Sequence, residues 1–215
     1  MRFLTGEEGR LRLKNHFRYC WWKYLVAWSA GLLLLYILFD MTRYRPPVDR
    51  SIELYMLNGY TRTEALQEDL WPALQKRCPD QEELQVVNID LLQDEMYSRM
   101  QYATYLASQQ GDVMLMPMVE VERIMQGSGA EEVFVDLEPY VREGILRVDA
   151  LDVTPGMLLR SDGTRGLYGI PADSLTGLSE FRTKPEGALL VAMKYGGNLD
   201  TSVRLIELML ERYGR

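Results

Sequence analysis

Sixteen consecutive residues, Tyr24 to Phe39 (YLVAWSAGLLLLYILF), carry no charge, and only Ser29 and Gly31 interrupt their apolar character. Counted from Trp21 to Met41, the segment would form a helix of about 31 Å, matching a hydrocarbon core of about 30 Å. Lys23 and Asp40 stand where a charged side chain can reach the interface. A membrane span is expected here, and it divides the chain into a basic tail (1–23), an anchor helix (24–41), a short spacer (42–50) and a folded domain (51–215).

An uncleaved anchor fits better than a cleaved export signal. The apolar run exceeds a usual signal core, and Asp40-Met41-Thr42-Arg43-Tyr44-Arg45-Pro46-Pro47 offers no small-x-small cleavage site. Arg2, Arg10, Arg12, Lys14, Arg18 and Lys23 precede the span, against Arg43, Arg45 and Arg50 after it, so the amino terminus is expected in the cytoplasm. Trp21, Trp22 and Trp28 on one side and Tyr36 and Tyr44 on the other suit the two aromatic belts. The expected location is the cell membrane, single-pass, with the carboxyl-terminal domain extracytoplasmic.

That domain is acidic. The chain holds 31 Asp+Glu against 24 Lys+Arg, the first 41 residues take 3 and 6 of these, and 28 against 18 remain. Such a balance argues against nucleic acid, whose binding relies on cationic neutralisation of phosphates. Cys20 lies at the cytoplasmic edge of the span and Cys78 outside, so this topology forbids a disulfide between them. The 174 residues after the anchor suffice for one domain with its own core.

Arg43 to Arg50 contains Pro46-Pro47 and reads as a stiff spacer. Beyond it, Ile52–Leu57 is a strand stopped by Asn58-Gly59. Thr61-x-x-Glu64 reads as a capping box, and Leu66, Leu70, Leu74 and Cys78 as one helical stripe with a break or kink at Pro72. Leu84–Ile89 is a second strand. Asp94 is placed to cap a helix whose Met96, Met100, Ala103 and Leu106 or Ala107 share an inward face, and Gly111 to end it. Asp112–Met118 is a buried central strand, Val119–Gln126 a short helix, and Gly127-Ser128-Gly129 its stop. Val133–Leu137 and Leu167–Pro171 read as short strands and Ala188–Met193 as another buried one. Asn198 would cap a last helix, with Leu199, Val203, Ile206, Leu210 and Tyr213 in four-three spacing. The βαβαβα order predicts an α/β fold: a three-layer αβα lobe around a mainly parallel sheet, preceded by one transmembrane helix.

Several of these segments resemble extracellular solute-binding proteins of the sugar-type ABC transporters. They are the Ile52–Leu57 strand with its helix, Gly111-Asp112-Val113 opening an apolar strand, Phe134-Val135-Asp136-Leu137-Glu138-Pro139-Tyr140, Leu167-Tyr168-Gly169-Ile170-Pro171, and the strand, Gly-rich turn and helix of Ala188–Leu210. The likeness covers roughly residues 51–212. It implies a periplasmic-binding-protein-like lobe, but that family has two lobes, and this chain has about half the necessary residues. The gap falls between Pro171 and Gly187. The resemblance therefore implies one lobe without its closing partner, anchored by a helix where relatives commonly use a lipid.

The chemistry is sparse. The sole histidine, His16, lies in the tail, so the outer domain cannot assemble a Ser/His/Asp triad or a His-containing zinc site. Glu120/Glu122, Glu131/Glu132 and Asp136/Glu138 are carboxylate pairs, which an acidic chain supplies on solvated faces. Gly127-Ser128-Gly129 lacks the third glycine of a dinucleotide loop, Glu132 standing in its place. No catalytic residue, cofactor or metal is expected, and the chain reads as a non-enzyme. Met96, Met100, Met114, Met116, Met118 and Met125 read chiefly as core, with an adaptable binding surface as the alternative.

Open α/β sheets bind ligands beyond the carboxyl ends of their strands, which nominates Asn58 and Tyr60 after the first strand, Met118 after the third and Tyr195 after the late one. The partners expected are the lipid bilayer, a small solute such as a carbohydrate, and an ABC transporter that the module would assist. The alternative is a structural or regulatory domain docking on a membrane transporter or sensor without a ligand of its own.

Overall fold

The computed structural model describes residues 7–44, 46–93, 96–126, 129–148 and 151–214. The chain falls into two compact units, Met1–Arg45 and Pro46–Arg215.

In the first unit, helix α1 (Glu7–Thr42) runs unbroken for 36 residues. Its stretch Arg18–Thr42, 25 residues whose apolar window has a mean hydropathy of 1.8, is long and apolar enough to cross a membrane, and none of that window is buried. Trp28, Leu33, Tyr36 and Phe39 all lie open on its surface, as lipid-facing side chains would. The helix extends into the basic tail, where His16 Nε2 lies 2.7 Å from the Tyr24 hydroxyl two turns on.

In the second unit the elements follow as β1 (Ser51–Met56), α2 (Thr63–Arg77), β2 (Glu83–Asn88), α3 (Met96–Ala107), β3 (Val113–Pro117), α4 (Met118–Met125), α5 (Ala130–Val133), α6 (Glu138–Arg142), β4 (Met157–Leu159), β5 (Arg165–Leu167), β6 (Gly169–Pro171), β7 (Ala188–Ala192) and α7 (Leu199–Tyr213). Five strands form one sheet in the order β2-β1-β3-β7-β6, and β4 and β5 form a separate hairpin. β1 pairs parallel with β2 and β3, whereas β7 runs antiparallel to both β3 and β6. Four of the five described strands therefore share a direction and β7 opposes them.

Strand alternation separates two cores. Ile52, Leu54 and Met56 of β1 and Val113 and Leu115 of β3 pack with Leu66, Leu70 and Leu74 of α2 and Val203, Ile206 and Met209 of α7. Tyr55, Met114 and Met116 point the other way and meet Tyr102 of α3 and Val121 of α4. Helices thus cover both faces, as the alternating order requires, and the lobe is a three-layer αβα.

Several local expectations give way to tertiary structure. Pro72 does not break α2. It sits on the exposed face, where the Glu68 carbonyl it deprives of a donor can turn to water. Thr61 does not cap α2, because its hydroxyl is drawn inward to that of Thr183 at 2.9 Å. Nor does the Asn198 side chain cap α7: Nδ2 donates to Val48 O and Ser51 O instead, stitching the lobe's first turn to its last helix. Val133–Leu137 forms no strand. Phe134 makes one bridge to Met193 at the end of β7, and Asp136 bends the chain by accepting from Glu138 N–H at 3.0 Å. Leu167–Pro171 is split at Tyr168 between the hairpin and the main sheet. Met96, Met100, Ala103 and Ala107 face solvent, and Tyr102 is the residue of α3 that enters the core. Asp94, Gly127 and Ser128 lie outside the described residues. Cys20 and Cys78 are both free.

Candidate functional site

A strand order of 2-1-3 places the topological switch between β1 and β3, and the crevice beyond their carboxyl ends is where open sheets of this kind take ligands. Asn58 stands at that point, 3% exposed. Its Nδ2 donates to Lys184 O at 2.5 Å and Glu186 O at 3.1 Å, while Met118 N–H donates to Gly187 O at 3.0 Å. The connection from β6 to β7 therefore lies across the switch crevice and is fastened on both sides of it. Gly187 N–H in turn donates to Asp173 Oδ1 at 3.1 Å, closing that connection on itself.

Next to the closed crevice, over the carboxyl ends of β1 and β2, a cleft of about 510 Å³ remains open. It is lined by Tyr60, Thr61, Arg62, Thr63, Glu64, Ala65, Glu68 and Asn88. Asn88 builds its floor: Nδ2 donates to Met56 O at 2.9 Å and Gly59 O at 2.7 Å, and Oδ1 accepts from Thr61 N–H at 3.3 Å. This amide holds the Asn58–Thr61 turn and has little capacity left for a ligand. Gly59 takes φ +87°, the left-handed conformation that lets the turn close after the strand. The first turn of α2 opens toward the cleft without a side-chain cap from Arg62. Tyr60, 57% exposed, presents its ring at the rim. The polar groups free to meet a ligand are those of Arg62, Thr63, Glu64 and Glu68, beside one aromatic face.

Of the four nominated residues, Asn58, Tyr60 and Met118 lie at the carboxyl edge, though not in one pocket. Asn58 is committed to the backbone, Tyr60 borders the polar cleft, and Met118 lines a separate groove of about 480 Å³ with Met125, Met157, Leu158 and Leu159. Tyr195 lies at the opposite edge. Because β7 is antiparallel, its end adjoins the start of β3, and the Tyr195 hydroxyl donates to Gln110 O at 3.1 Å. Sequence reasoning misses Arg62, Thr63, Glu64, Glu68 and Asn88. The carboxyl-end rule that selected Asn58 applies equally to Asn88 at the end of β2.

The amino edge holds a carboxylate pair instead. Asp112, 7% exposed, accepts from Glu53 N–H at 2.8 Å, and Glu53 Oε2 accepts from Gly111 N–H at 2.8 Å, so the two acids clasp β1 to β3. Burial, chiefly, with the neighbouring Glu53 charge, pushes the Asp112 carboxyl up to about 6, against the lowering pull of the Glu53 and Gly197 backbone N–H groups. Burial and then the Asp112 and Glu53 charges push the Tyr195 phenol up as well. A carboxyl with a raised folded-state pKa binds its proton more tightly folded than unfolded. Its stabilising effect is complete below about pH 4 and lost as pH rises through about 6, amounting to roughly 1–3 kcal/mol. Urea midpoints should therefore fall between pH 4.5 and 7.5 more steeply for the native chain than for Asp112→Asn. Among the described residues, no group of three or more His, Cys, Asp or Glu side chains gathers closely enough to hold a metal ion.

No protein-family profile and no curated protein sequence matches the chain. Among solved structures it is similar to an extracellular solute-binding protein family 1 member from Alicyclobacillus acidocaldarius, at 18% identity and a TM-score of 0.38, over 60% of this chain and 29% of that one. It is also similar to a probable secreted solute-binding lipoprotein from Streptomyces coelicolor, at 14% identity and a TM-score of 0.36, over 60% and 30%. A third similar structure is the N-glycan transport solute-binding protein of Streptococcus pneumoniae in complex with Man1GlcNAc, at 16% identity and a TM-score of 0.34, over 57% and 24%. The chain spans less than a third of the length of each.

Proposed function

We propose that this chain is a membrane-anchored, extracytoplasmic, solute-binding-like module that recognises a small polar solute, such as a carbohydrate, at the carboxyl edge of its sheet. The observation that carries the reading is the open polar cleft of about 510 Å³ at the ends of β1 and β2. Its volume falls within the range of small-ligand sites, roughly 300–1,000 Å³. Tyr60 supplies an aromatic face on which a sugar ring can stack, and Arg62, Thr63, Glu64 and Glu68 supply hydroxyl-bonding groups. The anchor α1 would hold the module at the membrane with its amino terminus cytoplasmic, the orientation favoured by the Lys/Arg bias.

The test is thermal unfolding of the full chain in detergent micelles against a panel of oligosaccharides, amino acids and peptides. A bound solute at a hundredfold over its Kd adds about 2.7 kcal/mol, worth several degrees. The shift should vanish in Tyr60→Ala, whose own Tm should stay close to that of the parent because the ring is exposed. A cooperative transition that no solute moves would overturn the reading.

A second reading, docking on a membrane transporter or sensor, is favoured by the closed switch crevice. With that crevice filled by Lys184–Gly187, the cleft that remains lies beside the topological switch and not in it. Retention of a transporter or sensor by the detergent-solubilised chain, lost on substitution at the carboxyl edge, would support it.

A further inference from the structure

The outward stripe of α3 repeats in four-three-four spacing, Met96, Met100, Ala103 and Ala107, the seam of a helix that packs on another helix. Yet the lobe does not cover it: Met96 is 86% exposed and Met100 62%. Tyr97 and Thr104, which flank it, are exposed as well, and none of the six carries a charge. The one charged residue of α3, Arg99, is engaged with the buried Glu120 at 3.1 Å. A three-turn uncharged outer face is conspicuous in a chain with 31 acidic and 24 basic residues.

We propose that this stripe is a self-association surface, on which two copies of the chain pair through antiparallel α3 helices about a two-fold axis. Side-chain size identifies the occupant. In one antiparallel register Met96 lies opposite Ala107 of the second copy and Met100 opposite its Ala103, so each long, adaptable thioether meets a methyl group and the surface complements itself. A membrane surface is a poorer match, since interfacial helices use Lys and Arg to hold lipid headgroups and this face has neither. An uncharged face also lets two acidic lobes approach without like charges in the contact. A helix of 12 residues is about 18 Å long, too short for the roughly 800 Å² per partner of a stable interface. The pairing is therefore weak in dilute solution and is expressed where the anchor concentrates copies in one membrane. This inference stands apart from solute recognition.

The test is oxidative cross-linking of the full chain in proteoliposomes, in a Cys20→Ser background that leaves only the buried Cys78. M100C chains mixed with A103C chains in the same vesicles should give covalent heterodimers well above those of an exposed control on another face, K76C. M96C alone should not, because its two copies would lie about 16 Å apart along the axis. Ala103→Glu, at an exposed position, should abolish dimers detected by chemical cross-linking while leaving the Tm unchanged. Cross-linking of M100C with A103C chains no better than the control, efficient cross-linking by M96C, or dimers persisting in Ala103→Glu at unchanged Tm would each overturn the proposal.

Discussion

Gly156→Ala is expected to lower stability by roughly 3–5 kcal/mol and the Tm of the lobe by roughly 6–15 °C. A Cβ at this position would sit 1.8 Å from Gly169 O and 2.7 Å from its carbonyl carbon. Neither is the end of a flexible side chain: Gly169 belongs to β6, which is fixed by its pairing with β7. Relief requires moving the Thr154–Gly156 turn away from the sheet, which breaks the 3.0 Å bond from Tyr168 N–H to Gly156 O. Gly163→Ala provides the contrast. Gly163 has φ +82°, but nothing lies within 4 Å of where an added methyl group would stand, so only the left-handed backbone penalty applies, about 1 kcal/mol. Circular dichroism melts of the two variants should separate these costs, and equal losses would show that the contact with Gly169 is not rigid.

The second large effect is expected from Asn58→Asp, a change of shape too small to disturb packing. The amide donates to two backbone carbonyls, and the carboxylate that replaces it would face both as an acceptor. Buried and unpaired, that charge should cost roughly 3–5 kcal/mol at pH 7.5. The introduced acid would have a folded-state pKa raised above its unfolded value, so stability should return as pH falls below that raised value and be lost as pH rises through it. Asn58→Ala should cost less, about 1–3 kcal/mol, with no such dependence. Denaturant midpoints across pH for the three chains provide the measurement. A flat profile for Asn58→Asp would show that the Lys184–Gly187 connection moves away and the switch crevice opens.

How far the sequence reveals the lobe depends on which physical question each residue answers. The strands β1 and β3 are legible because a short apolar run bounded by turn residues has few other solutions, and α7 is legible because its stripe is backed by polar neighbours. The same spacing in α3 is misleading. Periodicity tells which residues share a face but not which face turns inward, and there Tyr102 takes the core in place of the methionines. The direction of β7 is likewise hidden, since ALLVA is equally apolar read either way, and that single ambiguity carries Tyr195 to the wrong edge. At the candidate site the turn after β1 can be read from Asn58-Gly59. What Asn58 binds cannot, because Lys184 and Glu186 are brought to it only by the long return of the chain.

The position of β7 also fixes the order in which the sheet can be finished. It fills the gap between β3 and β6, so β3 waits for its second neighbour until about 75 further residues have been synthesised, roughly 4–15 s at ordinary rates. During that interval Val113–Pro117, apolar on both faces, offers a bare edge to any other extended segment. Such an edge is a template for aggregation, and the hazard ends only when the final strand arrives and α7 covers one face of it. The yield of native protein is thus decided late, by β7 and α7, and lesions in either should appear as inclusion of newly made chains in aggregates before they appear as lowered melting temperature.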